Sequence, residues 1–294
     1  MIPLLTITHL LNGLLMIVLP AALGIFLTRR FHLGWRIWWI GAGTFVLSQV
    51  GHIPFNYVLT LLFQRGVLPA PPAEWQLPFN ALVLGLSAGL WEEWFRYIAY
   101  RWWAREARDW KSGLLLGAGH GGAEAIILGI LVLLALVNMS IARGMDLSTQ
   151  VPAEQLALAQ QQVQAYWSAE WYETLIGALE RAFAILFHLS ASLLVLQAFI
   201  RKNIAWVWLS VGWHTLINAA AVYTINAGNM YLTELLIGIL STAGLSITLL
   251  TLRRGLPEND SQPPEEPEVP SPLVPPLPAD LPETPKNLED TRYN

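Results

Sequence analysis

An all-α, polytopic membrane protein with about seven transmembrane helices is the fold class that the sequence predicts. Three observations predict it. Hydrophobic residues make up 54% of the 294-residue chain and charged residues only 13%, about half the charged share of an ordinary soluble domain. Apolar runs of roughly 20 residues or more, enough to cross the hydrocarbon, occur seven times. Basic residues cluster in every second connection, as they do where loops face the cytoplasm. Mean hydropathy is +0.44, and the 14 tryptophans suit a chain that meets two membrane–water interfaces.

The runs lie at about 5–27, 37–62, 78–100, 112–137, 175–200, 204–223 and 231–252. The first has no basic segment before it and is too long for a cleavable signal peptide. Arg29, Arg30 and Arg36 follow it. Arg101, Arg105, Arg108 and Lys111 follow the third run, Arg201 and Lys202 the fifth, and Arg253 and Arg254 the seventh. The intervening loops carry only Arg65 and Arg143. This alternation places the N-terminus outside and the C-terminus in the cytoplasm. Between the fourth and fifth runs, residues 138–174 form a long external loop whose stretch Ala153 to Gln164 suits a surface helix. A seven-helix transmembrane domain is expected over 1–256. The segment 257–294, proline-rich and acidic, cannot bury a core and is expected to be a disordered cytoplasmic tail. The absence of cysteine excludes disulfides, thiolate metal ligands and a cysteine nucleophile.

Ionisable residues inside a span cost several kcal/mol unless paired or hydrated, yet this chain holds many. The third run carries Trp91-Glu92-Glu93-Trp94-Phe95-Arg96-Tyr97. The fourth carries Gly119-His120-Gly121-Gly122-Ala123-Glu124. The fifth has Glu180, Arg181 and His188, and the sixth His214 and Asn218. At about 1.5 Å per residue, Glu92, Glu93, His120, His188 and His214 all fall roughly 12–20 Å from the basic cytoplasmic markers. Four helices therefore aim polar groups at one layer. Glu92/Arg96, His120/Glu124 and His214/Asn218 are i,i+4 pairs on single helix faces. Paired carboxylates in a low-dielectric site suit a general base, and imidazole and amide groups suit oxyanion stabilisation. Each pair taken alone also has a packing reading, as an intrahelical ion pair or as polar glue between helices. Arg181 beside Glu180 reads as structural, and His9, Gln49 and His52 as packing or cavity lining.

These motifs, in order, resemble the YhfC-type intramembrane protease family, which is similar to the larger superfamily of glutamic-type membrane peptidases that includes CAAX-prenyl proteases and bacteriocin-processing enzymes. The residues that carry the resemblance are Glu92-Glu93-Trp94-Phe95-Arg96-Tyr97, the run Gly119–Glu124, Glu180-Arg181 with His188, His214-Thr215-Leu216-Ile217-Asn218, and Phe45-Val46-Leu47-Ser48-Gln49. It runs through all seven spans and stops at the tail. One motif departs: Ala184 stands four residues before His188, with Phe183 and Phe187 beside it. The resemblance implies an endopeptidase of the cell membrane. In it Glu92 or Glu93, beside Arg96, activates water without a metal cofactor, His188 assists, and His214 with Asn218 stabilises the oxyanion. His120, Glu124, Glu180 and Arg181 would form the surrounding polar layer. The implied partners are membrane lipid and a peptide or membrane-protein substrate, with no nucleic acid. Three other readings stand beside it. Zinc could be bound by His and Glu from several helices, since no His-Glu-x-x-His motif is present; a transporter could relay protons through the same groups; and a non-enzymatic membrane protein could retain the fold.

Overall fold

A computed structural model describes residues Leu4–Leu252, and the tail expected at 257–294 lies outside the described residues. The helices are α1 (Leu4–Phe31), α2 (Trp35–Gln64), α3 (Gln76–Ile98), α4 (Trp110–Gly144), α5 (Ala153–Ser168), α6 (Ile176–Ile200), α7 (Ala205–Asn226) and α8 (Met230–Leu252). Among the described residues there is no strand. Seven helices match the seven apolar runs, and α5 is the surface helix expected in the long loop. Five of the seven, α1, α2, α4, α6 and α8, are long and apolar enough to cross a membrane by length and composition. The other two, α3 and α7, have 23 and 22 residues and carry Glu92, Glu93, Arg96 and His214 between them. They pack on each other.

The distribution of side chains is that of a protein solvated by lipid. Outward faces carry exposed Leu10, Leu14, Val18, Val50, Ile53, Leu131, Leu134, Leu235 and Ile239, while Thr44, Ser48, Glu93, Arg96, His120, Ser190, Ser192, Ser210 and His214 are buried. With no water in the hydrocarbon, polar groups must find partners inside the bundle.

Helix α4 organises that interior. Asp109 caps its N-terminus, accepting from the backbone of Lys111 and Ser112 at 3.0 Å each. It packs against α1, α2 and α6. Two close approaches explain its glycines. A Cβ on Gly119 would lie 2.0 Å from the Trp38 carbonyl oxygen of α2, and one on Gly121 would lie 2.8 Å from the His188 ring of α6. Small residues let these helices meet backbone to backbone, and that proximity brings His120 to α2 and His188 to α4. The helix also runs seven residues past the apolar stretch that predicted it. There Trp167 of α5 donates to the Met139 carbonyl at 3.1 Å and the Arg143 guanidinium lies over the Trp167 ring. At the opposite end of α3 the chain widens into a π-turn, Ala99–Trp103. Arg108 donates to the carbonyls of Tyr100, Ala104 and Ala107, and the Tyr100 hydroxyl meets Ser192 Oγ at 2.8 Å. This tie fixes the rotation of α3 just beyond its charged turn.

Candidate metal centre

Glu92 and Glu93 follow each other on α3 and therefore point to different neighbours. Glu93 is fully buried. Its Oε1 accepts from Arg96 and from His214 Nδ1, the latter at 2.7 Å, and its Oε2 accepts from Ser210 Oγ at 2.6 Å. Glu92 Oε1 accepts from Gln49 Nε2 at 3.2 Å. Its Oε2 lies 3.0 Å from His120 Nε2, 3.8 Å from His214 Nε2 and 4.0 Å from Arg96.

Thr44 Oγ1 lies 2.5 Å from the Gly41 carbonyl oxygen and 2.7 Å from His120 Nδ1. His120 Nε2 is within hydrogen-bond distance of Glu92 Oε2. His214 donates from Nδ1 to the Glu93 carboxylate and turns Nε2 toward Glu92. Two imidazole nitrogens thus converge on one carboxylate oxygen.

His188 is engaged differently. A guanidinium can only donate, so His188 Nδ1 accepts from Arg96, and Nε2 donates to Glu124 Oε2 at 2.7 Å. Glu124 in turn accepts from Arg181, which also bonds Glu180. The sequence-predicted residues therefore join in one network over α3, α4, α6 and α7. Its order differs from the i,i+4 pairing expected. Arg96 bonds Glu93 rather than Glu92, and His120 and Glu124 each bond across to another helix instead of to one another. His120, expected in the outer polar layer, touches Glu92 itself. Asn218 makes no hydrogen bond among the described residues, and it lines a cavity of about 70 Å³ with Glu92, Glu124, Glu180, Arg181, His188 and His214. The sequence reading did not single out Thr44 and Ser210. Their signal was spacing, since Ser210 stands four residues before His214 and Thr44 four before Ser48 in the stripe that continues to His52.

The donor set fits a divalent cation. Glu92, His120 and His188 each place one ligand atom within 4.8 Å of the others. Proximity selects those three. His214 Nε2 also comes within 3.8 Å of Glu92 Oε2. The second ring nitrogen of His120 and of His214 meets an oxygen, Thr44 or Glu93, an arrangement that orients a metal-bound imidazole.

Comparisons with known proteins identify relatives in the membrane. The chain is 31% identical over 221 residues to the uncharacterised membrane protein YhfC of Bacillus subtilis (strain 168), a match covering 72% of this chain and 82% of that protein. No solved structure matches it. The profile of the YhfC intramembrane metalloprotease family matches residues 15–251, which take in every residue of the centre, and the chain belongs to that family.

Proposed function

We propose that this protein is an intramembrane endopeptidase whose Glu92, His120 and His214 hold a zinc ion. The observation that carries the reading is the convergence of the Nε2 atoms of His120 and His214 on Glu92 Oε2 inside the bundle. A His₂Glu set is one that zinc accepts with a position left open. Bound there, the metal would supply Lewis acidity and lower the pKa of its water. A glutamate acting alone is less well supported. Glu93 already accepts three hydrogen bonds and does not line the cavity, which counts against it as a base that activates water without a metal.

The other residues have work of their own. Glu93, held by Arg96 and Ser210, orients His214. The cavity of about 70 Å³ has room for water beside a peptide carbonyl. Asn218, free of other partners, donates to that carbonyl oxygen as charge develops on it. Glu124, a carboxylate at the cavity wall held by His188 and Arg181, takes a proton from the attacking water and returns it to the departing amine. In this reading all seven long helices cross the membrane with the N-terminus outside. Burial among apolar helices keeps bulk water from the site.

The test is metal analysis of protein purified without added metal, together with cleavage of membrane-segment peptides in the presence and absence of chelator. We expect about one zinc per chain, cleavage lost on chelation and restored by zinc, and metal lost in His120→Ala and His214→Ala but kept in His188→Ala. Metal-free protein that cleaves regardless of chelator would return the function to a glutamate-activated water. Metal lost from His188→Ala and kept in His214→Ala would exchange the two histidines.

A further inference from the structure

Apart from Thr44 and Gln49, which touch His120 and Glu92, the polar residues of α2 have no part in the chemistry above. Ser48, His52, Asn56, Thr60 and Gln64 recur every four residues, which places them on one face of the helix. Val50, Ile53 and Val58, on its other faces, are exposed. The stripe looks toward α3, and it is hydrogen-bonded as far as the site. Asn56 Nδ2 lies 2.8 Å from His52 Nε2, His52 Nδ1 lies 3.3 Å from Gln49 Oε1, and Gln49 Nε2 lies 3.2 Å from Glu92 Oε1. Ser87 of α3 joins at 3.1 Å from His52 Nε2.

The direction of this chain follows from its last member. The carboxylate of Glu92 accepts, so the Gln49 amide donates to it. That leaves Gln49 Oε1 to accept from His52 Nδ1, and His52 Nε2 to accept from Asn56. In each of these three bonds the donor points toward Glu92. At the far end, Asn56 Oδ1 is buried and has no hydrogen-bond partner among the described residues. Asn56 lines a cavity of about 310 Å³ between α2 and α3, together with Thr60, Gln64, Gln76 and Asn80.

We propose that this cavity is a water-filled vestibule, and that the α2–α3 stripe hydrates and polarises Glu92 from the end of the bundle where α2 and α3 are joined. Helix packing in lipid needs no such stripe. A buried amide oxygen without a partner is costly at membrane depth unless water reaches it. The vestibule has room for several waters. The need for water rests on the peptidase reading, since each peptide bond cleaved consumes one. The vestibule opens on a different side of Glu92 from the 70 Å³ cavity, whose walls come from α3, α4, α6, α7 and α8. Water and substrate therefore have separate approaches.

The test uses the cysteine-free chain as its background. Thr60→Cys and Ser87→Cys are placed in proteoliposomes and treated with a small charged methanethiosulfonate, which reacts with the thiolate and so reports water. Val58→Cys on the lipid face and Ser241→Cys, buried on α8, are the controls. We expect positions 60 and 87 to react at least about tenfold faster than the controls, because a thiol in apolar surroundings stays protonated. We expect Asn56→Leu to slow position 87 while leaving position 60 unchanged. Ser48→Cys gives a second inner position should Ser87→Cys fail to yield monodisperse protein. Inner positions that react no faster than Ser241→Cys overturn the proposal. Neither cleavage nor metal is read in this experiment, so its failure is distinct from failure of the peptidase reading.

Discussion

Glu92 and Glu93 are adjacent in the chain and about 100° apart around α3, and the bundle treats them in opposite ways. Glu93 is surrounded by donors from α3 and α7: Arg96, Ser210 and His214 Nδ1 satisfy both its oxygens. Glu92 accepts from Gln49, lies 3.0 Å from His120 Nε2 and 4.0 Å from Arg96, and borders a cavity. One carboxylate is enclosed by its donors and the other has a face left open to the cavity. Adjacent identical residues can thus divide structure and chemistry between them, because a single helical step changes which neighbouring helix each one meets.

Substitution at the two positions tests this division most directly. Glu93→Gln leaves Arg96 buried without its counter-charge and is expected to destabilise the protein by about 3–5 kcal/mol, seen as a large fall in the thermal midpoint in detergent. Glu92→Gln is expected to unfold near the wild-type temperature yet lose turnover by about 10³-fold or more. Equal stability losses in the two variants would erase the distinction. Arg96→Met should be nearly as damaging as Glu93→Gln. The double variant Arg96→Met/Glu93→Leu should recover much of that loss, since apolar replacement of a buried ion pair is often neutral, although His188 would then lose its Nδ1 donor.

Smaller effects sharpen the comparison. Gly121→Ala pushes a methyl into the His188 ring and is expected to cost about 1–3 kcal/mol together with some activity, measured by thermal denaturation and peptide cleavage. Ser210→Ala removes one of three hydrogen bonds to Glu93, for an expected loss of about 1–3 kcal/mol with metal content unchanged. Arg36→Ala is expected to cost no more than about 1 kcal/mol, because its ion pair with Glu106 is exposed on both sides. A large effect there would mean that the junction of α2 with the loop after α3 bears on the site.

The helices were legible because the bilayer imposes a length. Each apolar run became a helix within a few residues, and the one large extension, at the end of α4, follows from Trp167 and Arg143 packing beyond the apolar stretch. The site was legible because charges are rare inside spans, so Glu92, Glu93, Arg96, His120, His188 and His214 stood out before any contact was known. Their partners did not. Spacing along one helix suggested His120 with Glu124 and His214 with Asn218, but helix crossings decide which groups meet, and crossings depend on small residues such as Gly119 and Gly121. Thr44 and Ser210 escaped notice because hydroxyls in such helices commonly bond their own backbone, as Thr28, Ser190 and Thr215 do. Which oxygen each imidazole nitrogen meets is a property of those crossings, invisible in the order of residues.

The pairing of α3 with α7 has a consequence for how the chain is made. The partners of Glu93 outside its own helix, Ser210 and His214, lie 117 and 121 residues further along. At a synthesis rate of about 5–20 residues per second, α3 waits on the order of ten seconds with its carboxylates and guanidinium only partly neutralised. During that interval the neutralising contacts within the nascent segment are those of one turn, from Arg96 to Glu93 and, at 4.0 Å, to Glu92. An insertion machinery that shelters marginal segments, or a delay before α3 commits to the lipid, is thus a requirement of this bundle's biogenesis, and a chain truncated before α7 should be recognised by quality-control proteolysis.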